Sequence, residues 1–277
     1  EKAFSKANIQ QNEICAIGFT RGPGLLGSLL VGTSFAKSLA MSLDVPLIEV
    51  NHLQAHILAH FIEDANPTPP TFPFLCLTVS GGHTMIVLVK DYFDMEIIGK
   101  TIDDAAGEAF DKIGKIFDLD YPAGPIVDRL AKDGNPDAFK FNKPKMGAYD
   151  YSFSGIKTSV LYFIQKEVRK DPDFIKDNLN DLCASVQKSI IEILMDKLEK
   201  AAKELNINDI AIAGGVSANS GLRQYMEANR EKLGWNIFIP KFEYTTDNAA
   251  MIAMVAKLKY ERGEFTDIRT TATAKYD

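Results

Sequence analysis

The sequence predicts an α/β protein in two parts, each built on strands that feed helices. Three observations carry this. Two strand–glycine–helix units, at 14–43 and 209–232, stand far apart in the chain. Between them, Asn66-Pro-Thr-Pro-Pro-Thr-Phe-Pro holds four prolines in eight residues, which no regular element survives. After it the apolar spacing changes: 74–79 and 84–89 are β-rich runs around Ser80-Gly81-Gly82-His83, a hairpin signature. Strands alternating with helices argue for layered α/β structure with a parallel core in each half, the hairpin adding antiparallel strands to the second. The domain boundary is set at the prolines: 1–65 with the final helix 247–262 packing back on it, and 66–246.

The elements follow in order. Ile14 to Phe19 is a short apolar run closed by Thr20-Arg21-Gly22-Pro23-Gly24, a buried strand entering a glycine loop. Leu25 to Leu43 has helical apolar spacing and reads as a buried helix. Pro46 to Val50 is a strand, and Asn51 sits in cap position before a helix over 52–61. Met95 to Thr101 is a third strand after the hairpin. Asp103 to Leu119 reads as a helix with acidic residues in its first turns, which suits the helix dipole. A polar stretch, 133–155, precedes two long helical patterns, 156–169 and 179–205. Asp209 to Ala213 is a buried strand ending in Gly214-Gly215; a helix over 218–232, a strand over 237–239 and a last helix over 247–262 complete the chain.

Composition bounds the function. The 277 residues are 46% hydrophobic and 25% charged, an ordinary globular balance. The net charge of −6 excludes a uniformly basic, nonspecific nucleic-acid binder, while a local basic face for a structured RNA stays open. Three cysteines without a Cys-x-x-Cys exclude a thiolate zinc site and a disulfide framework, and fit a reducing cytosol. The start lacks a signal pattern, and the most apolar stretch, 24–43, is interrupted by Lys37, serines and glycines, so no membrane span is expected.

Several constellations could carry chemistry. His52 and His56 are spaced i, i+4 and share a helix face; with His60, three of the four histidines fall on this segment. A metal site and a structural pair are equally good readings. Gln54 cannot act as a general base, and no Glu lies between the histidines, so a His-Glu-x-x-His protease mechanism lacks its acid–base residue. The glycines of Ser80-Gly81-Gly82 could bring backbone N–H groups to a phosphate, or make a plain turn. Gly214-Gly215-Val216-Ser217-Ala218-Asn219 opens a helix after a strand, where anions meet helix N-termini, or where Asn219 merely caps. Asp111, in a run of four carboxylates, either faces solvent or accepts hydroxyl or amine donors in a cleft. Lys140, Lys143, Lys145 and Lys157, with Tyr149, Tyr151 and Phe153 interleaved, could contact RNA by charge and stacking, or form a solvated loop. Asp247 is a cap residue for the last helix or a third metal ligand.

Taken together, these residues resemble a family. Asn51-His52-Leu-Gln-Ala-His56, Val79-Ser-Gly-Gly-His-Thr84, Asp103-Asp-Ala-Ala-Gly-Glu-Ala-Phe-Asp111, Tyr121-Pro-Ala-Gly-Pro125, Tyr151-Ser-Phe-Ser-Gly-Ile-Lys157, Gly214-Gly-Val-Ser-Ala-Asn219 and Thr246-Asp-Asn248 occur in order. The set is similar to that of the tRNA adenosine threonylcarbamoyltransferases, formerly called glycoproteases. The resemblance implies a two-lobe actin-like, sugar-kinase or Hsp70-type fold with a cleft between the lobes. It implies transfer of threonylcarbamoyl from threonylcarbamoyl-adenylate to the N6 amine of adenosine 37 in tRNAs reading codons that begin with A. It further implies one divalent metal, iron or zinc, on His52, His56 and Asp247. The adenylate, or another adenine nucleotide, would bind at Thr78, Val79, Ser80, Gly81, Gly82, Asp111, Gly124, Asp128 and Asn219. Partners implied are tRNA and helper proteins, including a related two-lobe scaffold, in the cytoplasm.

The family's chains normally begin with a Gly-Ile-Glu-Thr-Ser-Cys-Asp-Glu-like strand about sixty residues ahead of the Gly-Pro-Gly loop, so an incomplete first lobe with an exposed sheet edge is expected, and catalysis without that segment is in question. Three other readings compete: a metalloendopeptidase, a noncatalytic scaffold of the same complex, and a kinase or chaperone of the same fold. No residue emerges as the general base for the adenosine amine.

Overall fold

The structure, a computed structural model, describes residues 2–64, 68–144 and 146–275. The elements run α1 (Lys2–Ala7), β1 (Ile17–Gly22), α2 (Leu26–Leu43), β2 (Leu47–Asn51), α3 (His52–Leu58), β3 (Phe74–Val79), β4 (Thr84–Val89), β5 (Met95–Lys100), α4 (Ala106–Ile116), α5 (Ala123–Ala131), α6 (Ser154–Val168), α7 (Phe174–Asp177), α8 (Leu179–Leu205), β6 (Asp209–Ala213), α9 (Ser220–Leu233), β7 (Asn236–Phe238) and α10 (Ala249–Glu261). The chain forms two compact units, residues 1–65 with 247–277, and residues 66–246.

The first unit rests on a two-stranded parallel sheet, Ile17 opposite Leu47 through Thr20 opposite Val50. α10 lies against β1 so closely that a Cβ on Gly18 would stand 2.6 Å from Cβ of Ala256. The polypeptide beyond α10 returns to the sheet: Thr266 N donates to Leu47 O and Thr273 N to Arg21 O. α2 corrects the expectation of a buried helix. Only Leu29, Thr33, Ala36 and Ala40 are buried, a single stripe at helical spacing. That stripe joins Phe19 and Leu47 in a small core, while Val31, Phe35 and Met41 on the other faces are at least 70% exposed. By length and composition α2 is also the one helix among the described residues that could cross a membrane.

The second unit holds a five-stranded sheet in the order β5-β4-β3-β6-β7. β3 pairs antiparallel with β4 and parallel with β6, so the sheet has the parallel core and the antiparallel hairpin expected of this half. β3 is buried along its whole length, as a central strand between helical layers must be. α4, α6 and α8 pack on it around Tyr151, Phe153, Phe110 and Ile113.

Other expectations shift locally. Asp103 and Asp104 precede α4 instead of lying in its first turn, because Asp103 is engaged elsewhere and Thr84 Oγ1 accepts from Ala106 N at 2.9 Å at the helix start. Asn248, not Asp247, caps α10, its Oδ1 accepting from Met251 N at 2.9 Å. α1, α5 and α7 fall where the sequence pattern predicts no helix. Asn66 and Pro67 of the proline segment, and Lys145, lie outside the described residues.

Candidate metal centre and nucleotide loops

The three candidate metal ligands come together within the first unit. β2 runs directly into α3, and Asn51 at the junction accepts from Leu53 N (2.8 Å) and Gln54 N (3.2 Å). That cap starts the helix at His52 and so brings His52 and His56 onto one face. Their rings lie 4.8 Å apart, edge to face. Both Nε2 atoms meet one oxygen, Asp247 Oδ1, at 3.3 and 3.2 Å. Asp247 follows Thr246 just ahead of α10, and hydrogen bonds from His52 and His56 hold its carboxyl below the usual carboxylate range. The three donor atoms lie within 4.8 Å of one another. His60 is buried but not part of the group.

The donors suit a divalent ion. Two imidazoles and a carboxylate are a set that iron and zinc both accept. His56 is 4% exposed, and its Nδ1 has no hydrogen-bond partner among the described residues. A buried imidazole left this way has its Nε2 as its only engaged atom, and that atom points to the shared carboxylate.

The nucleotide-type loops belong to the second unit, at the C-terminal ends of the neighbouring parallel strands β3 and β6. Ligands of open α/β sheets bind at such ends. The β3–β4 turn is closed by Ser80: its Oγ accepts from His83 N (3.0 Å) and Gly82 N (3.3 Å), and its N donates to His83 O. α4 abuts this turn, since Gly107 N donates to Ser80 O and a Cβ on Gly107 would stand 2.6 Å from that oxygen. The β6 loop lies beside it. Gly214 has φ +86°, and a Cβ there would stand 2.5 Å from Val79 O, so only glycine lets the two loops touch. Ser217 is fully buried, and its Oγ has no hydrogen-bond partner among the described residues.

The other proposed ligand residues are drawn into the same region, partly in structural roles. Thr78 and Val79 are buried in β3, which leaves Ser80 to Gly82 as the accessible part of that segment. Asp111 Oδ1 accepts from Ala123 N (2.8 Å) and Gly124 N (3.4 Å), tying α4 to the start of α5. Both oxygens of Asp128 accept from Ser220 N, and Oδ1 also from Ser220 Oγ at 2.7 Å. Asn219 Oδ1 accepts from Leu222 N and caps α9.

The aromatic–lysine loop is corrected. Tyr151 and Phe153 are fully buried, so neither can stack on a base. Lys143 is paired with Glu192 (2.8 Å) and Asp196 (3.3 Å) of α8, and Tyr149 donates to Glu204. Two side chains have roles beyond those the motifs suggest. Asp103 accepts from Ser152 Oγ, Phe153 N, and Ser154 N and Oγ, which caps α6; a carboxylate fifty residues from its partners leaves no local signal. Gln187, buried on α8, accepts from Asn219 Nδ2 at 2.7 Å. A lone amide on an otherwise apolar helix face was the available clue.

Comparison with known proteins now decides the family. The family described as tRNA N6-adenosine threonylcarbamoyltransferase matches residues 1–254. The chain belongs to this family. A threonylcarbamoyltransferase of Riemerella anatipestifer is 82% identical over 277 residues, covering 100% of this chain and 81% of that protein. One from Christiangramia forsetii is 61% identical (99% and 81% covered), and one from Porphyromonas gingivalis 58% (96% and 79%). Among solved structures, full-length HypF in its phosphate- and nucleotide-bound form superposes with TM-score 0.61 at 14% identity, covering 84% of this chain and 38% of that one. HypF of T. kodakarensis gives 0.62 at 16% identity, covering 96% and 43%. At that identity the likeness is one of fold, and the chain has the actin-like α/β fold of the threonylcarbamoyltransferases.

Proposed function

We propose that the chain performs its family's reaction, threonylcarbamoyl transfer to the N6 amine of adenosine in tRNA, using His52, His56 and Asp247 as metal ligands and the glycine loops as the adenylate site. The observation that carries the reading is the meeting of two imidazole nitrogens on one carboxylate oxygen. Threonylcarbamoyl-adenylate is the proposed donor. Adenosine 37 of tRNAs reading codons that begin with A is the proposed acceptor. The metal is iron or zinc; once bound, it would supply Lewis-acid polarisation of a carbonyl.

The chain's own residues do the rest. Gly81 and Gly82, exposed at the tip of the turn, offer backbone approach to phosphate oxygens. Asp111 keeps Oδ2 for a ribose hydroxyl while Oδ1 fixes the turn at Gly124. Asp128 and Asn219 shape the start of α9 beside the β6 loop. Helper proteins, among them a related two-lobe scaffold, would supply the adenylate in the cytoplasm.

Threonine incorporation into unmodified tRNA, with the adenylate supplied, tests the reading. Incorporation should need metal, and His52→Ala or Asp247→Ala should lower it about a hundredfold or more. Equal incorporation after chelation would overturn the metal role. Release of peptides from a glycoprotein substrate would favour the endopeptidase instead.

A further inference from the structure

The face of α8 that enters the core carries Leu182, Cys183, Val186, Ile190 and Leu194, and Gln187 interrupts it with an amide only 8% exposed. A buried amide is unfavourable unless it is hydrogen-bonded. Gln187 Oε1 accepts from Asn219 Nδ2 at 2.7 Å, wholly within the interior. This bond satisfies the Nδ2 end of the Asn219 amide and so braces the orientation that the Leu222 N–H requires. With Nδ2 committed to Gln187, Oδ1 faces Leu222 N at 3.0 Å and caps α9. The opposite orientation would set two donors against each other at Leu222 and two acceptors at Gln187.

The next residues fit the same contact. A Cβ at position 221 would stand 2.6 Å from Gln187 Nε2 and 3.0 Å from Cδ1 of Ile191, so Gly221 is what lets the first turn of α9 lie on this amide. From the other side Asp128, on α5, receives Ser220 N and Oγ. The turn is therefore clamped between α5 and α8, directly after the loop Gly214 to Ala218.

We propose that Gln187 is a positioning residue for adenine-nucleotide binding: by orienting the Asn219 amide it sets the start of α9 and the glycine loop that leads into it. The proposal rests on the reading of that loop as part of the adenylate site. It deepens that reading by adding a residue that touches no ligand.

Three variants of the full chain separate positioning from general stability. Gln187→Met keeps the length and loses both hydrogen-bonding ends. Gln187→Glu keeps the acceptor. Leu198→Ala opens a cavity farther along the same helix. AMP and ADP binding are measured by calorimetry, and amide exchange at Leu222 in the ligand-free protein. Gln187→Met should weaken nucleotide binding about tenfold and speed Leu222 exchange. Gln187→Glu should bind within about threefold of wild type. Leu198→Ala should lower the Tm and leave nucleotide affinity in place. Unchanged Leu222 exchange in Gln187→Met, or an equal loss of affinity in Leu198→Ala, overturns the proposal. A wild-type chain that binds no adenine nucleotide overturns the adenylate reading itself, and Leu222 exchange then still decides whether Gln187 orients Asn219.

Discussion

At the candidate metal group, two imidazole nitrogens share a single carboxylate oxygen, so the proposed ion would depend on all three side chains. His56→Ala should reduce bound metal, measured by elemental analysis after dialysis, from about one ion per chain to a small fraction of that. The cysteines give a second test at the same scale. Burial pushes the thiols of Cys76 and Cys183 up to about 12, and Cys15 is exposed. A thiol reagent at neutral pH should modify Cys15 alone in the native chain, and all three cysteines only after unfolding. Fast modification of Cys183 in the native state would contradict the packing of α8. Individual residues were legible in the sequence where a motif stated its own chemistry. The i, i+4 histidines needed only a helix to share a face, and Asn51 supplied its start. Tyr151 was misread because an aromatic beside lysines looks the same in sequence whether it points to solvent or to Leu194 O, where its hydroxyl donates.

Elements are held in place by caps and close approaches. Asp103 gathers four hydrogen bonds at the start of α6. Its partial burial opposes ionisation, and the bonds from Ser152, Phe153 and Ser154 outweigh it, holding the carboxyl below the usual range. A depressed carboxyl stabilises the fold above its unfolded pKa and loses that contribution as pH falls through the folded value. Asp103→Ala should therefore cost about 1 kcal/mol near neutral pH, and the gap from wild type should narrow as the solution is acidified, read from urea melts. Gly214→Ala combines a left-handed backbone with a contact on Val79 O. It should cost about 2 kcal/mol or more, seen as a lower Tm; an unchanged Tm would show that the two loops can part. Long elements such as α8 were plain from periodicity. α5 was not foreseen, since its nine residues begin in a Pro-Ala-Gly-Pro string that reads as a turn, and Asp111 is what caps it from α4.

For the whole molecule, the division into two parts followed from the prolines and the repeated strand–glycine–helix pattern. The hairpin and the parallel pairing of the second unit were legible too; the order β5-β4-β3-β6-β7 was not, because strand order depends on which edges meet after folding, and neighbouring sequence does not record that. The exposed side of α2 has a measurable consequence at this scale: Val31 and Phe35 are 73% and 70% exposed on a helix whose sole charge is Lys37. The native chain should bind an apolar dye such as ANS, and Val31→Glu with Phe35→Glu should abolish most of the signal.

Residues 66–246 are a compact insertion between the two segments that make the other unit. A ribosome therefore releases His52 and His56 long before Asp247, 191 positions after His56, has been translated. The inserted unit is complete first and can condense while the earlier segment still waits for α10 to cover β1. On the proposed ligand set, metal uptake would be a late event, and a nascent chain halted before Asp247 should leave iron and zinc in solution.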